Sequence, residues 1–173
     1  MNLILSKWHY FLAQYFRDNY DKFLQNYPYI NSPIQITRIE VWITNRGSQT
    51  SNIRNIVGFQ DLGESDPSKT SLDDRISNFF DTKGFLSPPS NENNRLNPEA
   101  INKGGMLNEN IRDVASVSSS FGAFNNLINE GFDYAVLESA RKLADSEYKM
   151  HPQLGYISLN QRLSNDEVLA VAF

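Results

Sequence analysis

The stretch Pro33 to Asn45, PIQITRIEVWITN, decides how this chain is read. From Ile39 onward the apolar side chains fall on alternate residues, with Ile39, Val41 and Ile43 sharing one face. Arg38, Glu40, Trp42 and Thr44 share the other. A period of two, carried by β-branched and aromatic side chains, is the pattern of a half-buried strand. Ile34 and Ile36 sit on the opposite parity, which predicts a bulge or change of face near Thr37. Arg38 and Glu40 are placed to pair above the sheet, a contact worth little if exposed. Asn45-Arg46-Gly47-Ser48 supplies the turn residues that end the strand. Ile53 to Leu62, IRNIVGFQDL, is then expected to return as the second strand of a hairpin, with Val57 and Phe59 on one face.

Upstream, Trp8 to Tyr29 is crowded with aromatics, and two periods compete there. The preferred reading is a strand from Trp8 to Phe16, then a helix capped by Asp18 and ending before Pro28. One continuous helix is the alternative. Downstream, Glu64 to Asn110 shifts to Ser, Asn, Asp, Pro and Gly. Ser71 to Phe80 carries a short helix signal, with Ser71 as cap and Asp73 and Asp74 in its first turn. Ser87-Pro88-Pro89-Ser90-Asn91 reads as loop. Another short helix is expected over Asn108 to Ser118, burying Ile111, Val114 and Ala115. Asp133 to Leu143 suits a helix or a strand, and a strand is preferred because an antiparallel sheet needs partners for its members. Ser146 to Phe173 reads as a hairpin and a third strand. Tyr148 and Met150 lead into a turn at His151 to Gly155, Ile157 and Leu159 return, and Leu169, Val171 and Phe173 alternate after a second turn at Ser164-Asn165-Asp166. The last strand has no polar stop, so the sequence is expected to be cut from a longer chain.

These elements predict an α+β fold, mainly antiparallel β-sheet and sandwich-like, with short helices in a loop-rich insertion. The expected division is 1–65 for an N-terminal strand, helix and hairpin, 66–131 for the insertion, and 132–173 for the C-terminal strands. Ile39, Val41, Ile43, Val57, Phe59, Ile157, Leu159, Leu169 and Val171 are the expected core. Trp42 is too large to leave in water, so the insertion or a neighbouring part of a parent chain is expected to cover it.

At 173 residues, with 40% hydrophobic and 21% charged residues, the chain can bury a real core. A net charge of −4 and no run of Lys or Arg argue against nucleic acid as a partner. Without cysteine there are no disulfides or thiolate metal sites. No stretch approaches the roughly 20 apolar residues of a membrane-spanning helix, so no transmembrane helix is expected. MNLILSKW is too short an apolar run for a secretory signal, which leaves a cytoplasmic protein or an internal piece.

Candidate chemistry is sparse. His9 and His151 have no second ligand at metal spacing and read as surface and turn residues. Asp61, Glu64 and Asp66 form an acidic loop without the EF-hand pattern, better read as a solvated turn. Ser118-Ser119-Ser120-Phe121-Gly122 lacks the glycine-flanked serine of a hydrolase elbow. Gly104-Gly105 lacks the strand-to-helix setting of a phosphate cradle. No acidic pair stands out for glycoside hydrolysis. No catalytic, cofactor-binding or metal residue is therefore assigned, no cofactor is expected, and a non-enzymatic domain is the reading.

Several ordered blocks nevertheless form a pattern. They are Phe16-Arg17-Asp18-Asn19-Tyr20-Asp21, Ile39-Glu40-Val41-Trp42-Ile43-Thr44-Asn45, Arg54-Asn55-Ile56-Val57 and Asp61-Leu62-Gly63-Glu64. Ala140-Arg141-Lys142-Leu143, Leu154-Gly155-Tyr156-Ile157-Ser158-Leu159-Asn160 and Asp166-Glu167-Val168-Leu169-Ala170-Val171-Ala172 follow. In this order they resemble the SprA family, also called Sov, at both ends of the chain; Asp66 to Asn110 carries none of the resemblance. The resemblance implies an internal fragment of a large outer-membrane β-barrel, the translocon of type IX protein secretion and gliding motility in Bacteroidota. It implies a location at the outer membrane or cell surface of a Gram-negative bacterium. The implied partners are the rest of the translocon chain, secreted cargo proteins or accessory secretion subunits. A non-catalytic carbohydrate- or surface-binding β-module is the alternative, motivated by eleven Phe, eight Tyr and two Trp. Aromatics lined up on a solvated sheet face would favour binding, and buried ones a structural role.

Overall fold

The computed structural model describes residues 8–59 and 108–173. Among them run β1 (Trp8–Phe11), α1 (Gln14–Phe23), β2 (Glu40–Ile43), β3 (Ile53–Phe59), β4 (Tyr134–Lys142), β5 (Tyr148–His151), β6 (Tyr156–Leu159) and β7 (Leu169–Ala172). They form a three-stranded sheet, β1-β6-β5, and a four-stranded sheet, β3-β4-β2-β7, with antiparallel pairing throughout. The fold is thus α+β and dominated by antiparallel sheet. The C-terminal hairpin is the β5–β6 pair, and the ambiguous Asp133 to Leu143 stretch is strand.

The alternation in the organising stretch separates two faces, and both are covered, since Val41, Trp42 and Ile43 are all buried. Val41 and Ile43 join Leu143, Tyr148, Ile157 and Leu159 in one buried cluster, against which Ile39, Leu169 and Val171 pack. Val41 and Ile157 have no exposed surface. These residues come from both sheets, so the cluster is the layer between them. Val57 and Phe59 belong to a separate cluster with Ile111, Val117, Phe121, Ile128 and Tyr134.

The expected hairpin between Ile39–Asn45 and Ile53–Leu62 does not form. β4 lies between β2 and β3 and bonds to both. Its nine residues are long enough to meet Trp42 and Ile43 at one end and Ile53 to Phe59 along the rest. The turn chemistry is present, since the Asn45 side chain accepts from the Gly47 N–H at 3.2 Å and donates to the Gln49 carbonyl at 2.9 Å. That turn carries the chain past β2's neighbour instead of back along β2. A bulge between Arg54 and Ile56 marks the β3–β4 ladder, where Ser139 adopts φ 51° and its N–H donates to Asn55 Oδ1 at 2.8 Å. The part of the returning strand beyond Phe59 lies outside the described residues.

The same sheet explains Trp42. A Cβ built on Gly58 of β3 would lie 3.5 Å from the Cβ of Ala170 on β7, although β4 and β2 separate these strands in the sheet. The sheet is therefore coiled enough to bring its two outer strands together. Trp42, Leu137 and Ala140 are buried inside the coil with Ile56, Ala135 and Ala170 around them. Among the described residues, the sheet itself supplies the cover expected from an insertion or a parent chain. Small side chains at Gly58, Ala135, Ala140 and Ala170 make the close approach possible. Gly58→Ala should be tolerated, because 3.5 Å is ordinary contact. Gly58→Leu should push the outer strands apart and cost about 1–3 kcal/mol, measurable by urea unfolding.

Three local expectations need correction. β1 ends at Phe11 instead of Phe16, and α1 begins at Gln14 with Ala13 at its N-cap, so Asp18 lies inside the helix. The cause is tertiary: the Leu12 N–H donates to the Gly155 carbonyl at 2.9 Å, and Tyr15 and Phe16 turn into a cluster with Phe23, Ile36 and Leu154. No bulge occurs near Thr37; residues 33–39 leave the ladder altogether, and the Ile36 N–H bonds to the Pro152 carbonyl at 3.0 Å. Asn108 to Ser118 holds 3-10 turns at Glu109–Arg112 and Val117–Ser119 in place of one α-helix. Ile111 is buried there, but Ala115 is exposed and Val117 takes the buried position. Ser71 to Phe80 and the loop at Ser87 to Asn91 lie outside the described residues.

The joint between the sheets is an ion-paired turn. Arg141 Nη1 donates to both carboxylate oxygens of Glu147, at 2.9 and 2.8 Å, and the Ala144 N–H donates to Glu147 Oε2 at 2.8 Å. These bonds, with the Arg141 hydrogen bond leading, hold the Glu147 carboxyl below its ordinary pKa of 4.5. A depressed carboxyl contributes stability that is present above its unfolded value and is lost as pH falls through the folded one. Glu147→Gln should therefore lose less melting temperature than the parent chain between about pH 5 and pH 3. Parallel thermal melts across that window check it.

Candidate functional site

The strongest candidate surface is the outward face of the β1-β6-β5 sheet. Trp8 and Tyr10 of β1, Ile157 and Leu159 of β6, and Tyr148 and Met150 of β5 pack into the layer between the sheets. Strand alternation then turns His9, Phe11, Tyr156, Ser158, Lys149 and His151 outward. The register arranges them in two rows across the strands: Phe11, Tyr156, His151 and His9, Ser158, Lys149.

Tyr156 is the centre of this face. The His9 ring meets it edge-on at 5.5 Å, and the His151 ring stacks on it at 5.5 Å. Phe11 approaches it edge-on at 6.2 Å, and Tyr20 of α1 touches both Phe11, at 5.4 Å, and Tyr156, at 6.5 Å. Burial, and secondarily Tyr20, pushes the Tyr156 hydroxyl above its ordinary pKa of 10.0. It stays protonated near neutrality and cannot serve as a base. His9 Nδ1 and Ser158 Oγ are 2.7 Å apart, the distance of a nucleophile and its base. Among the described residues no carboxylate bonds to His9 to orient it, so the pair stands without the third member of a triad.

The two histidines, which show no mutual relation in the sequence, are thus brought to one face. β6 stands between their strands, which puts their backbones at least two ladder spacings apart, roughly 10 Å. Among the described residues no group of three or more His, Asp or Glu is placed to hold a metal ion. The only signal for this convergence is parity: each histidine occupies the position opposite the apolar alternation of its own strand.

The remaining candidates fall elsewhere. Ser118 to Gly122 forms 3-10 turns, and the buried Ser120 donates its hydroxyl to the Ser116 carbonyl at 2.6 Å, which is a structural bond. Asp61, Glu64, Asp66 and Gly104-Gly105 lie outside the described residues. Arg38 and Glu40 pair at 3.7 Å, but Lys142 is the closer partner of Glu40 at 2.8 Å. Lys142 also lies 5.8 Å from the Trp42 ring centroid. Among the described residues, Tyr15, Phe16, Phe23, Trp42, Phe121, Tyr134 and Tyr148 are buried, and Trp8, Tyr10, Tyr20, Phe59, Phe124 and Tyr156 pack against the buried clusters. Phe11, Tyr27, Tyr29, Phe132 and Phe173 are exposed. No helix among the described residues is long and apolar enough to cross a membrane.

Among known protein families, the model SprA_N, described as motility related/secretion protein, matches residues 6–164. No curated protein matches the chain significantly.

Proposed function

This chain belongs to the SprA_N family of motility related/secretion proteins, and from that premise we propose that it is a structural, non-catalytic segment of a large outer-membrane translocon for type IX protein secretion and gliding motility. The observation that carries the reading is the extent of the match, which runs through the whole first sheet and all but the last strand of the second. Membership in a secretion and motility family supports a role in the cell envelope. On this reading the rest of the translocon chain is the segment's permanent partner, and cargo proteins or accessory secretion subunits pass against its surface. Two sheets packed over a layer of buried side chains suit a scaffold that holds its shape while other chains move. The rival reading, a carbohydrate- or surface-binding module, draws on the exposed rings of Phe11, Tyr27 and Tyr29. Tyr156, the centre of the outward face, already has its ring occupied by His9 and His151, which leaves it poorly placed to stack on a sugar.

The test is made on the intact gene in the bacterium that encodes it. Val41→Asp, which should unfold the segment, is expected to stop release of secreted cargo into the medium and to abolish spreading on agar. Unchanged secretion, with the mutant chain confirmed as present and its segment sensitive to protease, would overturn the proposal. Loss of sugar or surface adhesion alone, with secretion intact, would favour the rival.

A further inference from the structure

The turn from His151 to Gly155 is where three separate parts of the chain are seated. The Leu12 N–H donates to the Gly155 carbonyl at 2.9 Å, and the Ile36 N–H donates to the Pro152 carbonyl at 3.0 Å. Leu154 is buried among Tyr15, Phe16, Phe23 and Ile36. The turn is closed by the Gly155 N–H donating to the His151 carbonyl at 2.9 Å. A second bond holds it from the side chain, as the Leu154 N–H donates to His151 Nδ1 at 3.3 Å.

This last bond has only one possible direction. A backbone N–H can only donate, so Nδ1 of His151 must be the unprotonated, accepting nitrogen. An imidazolium carries a proton on both ring nitrogens and accepts nothing. His9 differs: its partner is the Ser158 hydroxyl, which can donate or accept, so its 2.7 Å contact survives protonation by rotation of the hydroxyl. Several titratable and aromatic groups face His151. Tyr156 of β6 stacks on its ring, His9 of β1 and Tyr20 of α1 lie beyond that tyrosine, and Lys149 precedes it on the outward side of β5. Among the described residues no carboxylate lies within ion-pair distance of His151.

We infer that His151 is a pH-sensitive clasp, whose protonation releases the Leu154 N–H and loosens the turn on which α1 and the 34–36 segment are docked. Acidification through the range where imidazoles charge thus weakens the turn at the Leu154 N–H, while the Leu12–Gly155 and Ile36–Pro152 bonds and the β-ladders stay in place. The inference stands apart from the translocon reading, since it concerns only the turn and its seat.

Hydrogen exchange of the Leu154 amide in the 173-residue chain tests it, with each rate corrected for the intrinsic pH dependence of exchange. Protection should fall about tenfold between pH 7.5 and pH 5, the scale expected for loss of one hydrogen bond. His151→Asn keeps an accepting oxygen without a titrating group, so its protection should stay constant over that range. His9→Asn should behave like the parent chain. Constant protection in the parent, or an equal fall in His151→Asn, would overturn the inference. Nitrogen-15 spectra of the parent provide a check that needs no variant: at pH 7.5 Nδ1 of His151 must be the unprotonated ring nitrogen, and a protonated Nδ1 would also overturn it.

Discussion

Gly155→Ala is expected to destabilise this chain by about 4 kcal/mol, the sum of backbone strain and overpacking at one site. A Cβ built on Gly155 would lie 2.0, 2.2 and 2.3 Å from three ring atoms of Phe16. Those atoms sit at the stem end of the ring, and Phe16 is only 1% exposed, so the ring has nowhere to swing. Gly155 also holds φ +59°, in the left-handed region that side chains disfavour. Gly122 provides an internal control, because its φ is +57° and a Cβ there would meet nothing within 4 Å. Gly122→Ala should therefore show the backbone term alone, about 1–2 kcal/mol. Urea unfolding of both variants separates the two contributions. Equal losses would mean that the Phe16 ring relaxes and that steric fit at the turn is unimportant.

Val41→Asp should come close to abolishing the fold. Val41 has no exposed surface and packs in the layer between the sheets with Ile43, Leu143, Tyr148, Ile157 and Leu159. Each of those neighbours is apolar except for the tyrosine hydroxyl, which bonds to Asp145 Oδ1 at 3.3 Å. A carboxylate placed there loses its water and gains no partner. That costs several kcal/mol, against the roughly 5–15 kcal/mol that holds a domain together. Thr44→Asp makes the contrast on the same strand. Thr44 is half-buried, and its hydroxyl accepts from the Val168 N–H at 3.0 Å, a bond an aspartate oxygen can also take. Its loss should be about 1 kcal/mol or less. Thermal melts of the pair decide it, and equal losses would mean that the two positions are buried alike.

Family context and strand pattern are both legible in the amino-acid sequence, but the candidate face is not. His9 and His151 each look ordinary, one in an aromatic run and one before a proline. Only the antiparallel placement of β1 and β5 on either side of β6 sets both against Tyr156. The organising strand teaches a related lesson. Its parity marks Val41 and Ile43 as core, yet the same parity puts Trp42 on a face that coiling of the sheet then buries. Alternation tells which side chains share a face; it does not tell how many faces are covered.

Sequence alone therefore specifies what is local. The alternation of Val41 and Ile43, of Tyr148 and Met150, and of Ile157 and Leu159 follows from side chains pointing to opposite sides of an extended backbone. The turn residues at Asn45 and after His151 are local in the same sense. Neither rule needs knowledge of the rest of the chain. Long-range packing settles that β4 separates β2 from β3, that α1 starts at Gln14, and that Ile36 leaves the ladder for the turn at Pro152. Each is a choice among partners with similar local patterns. Such choices depend on contacts far apart in sequence, such as Gly58 against Ala170 and Phe16 against Gly155, whose fit is fixed only where whole strands come to rest.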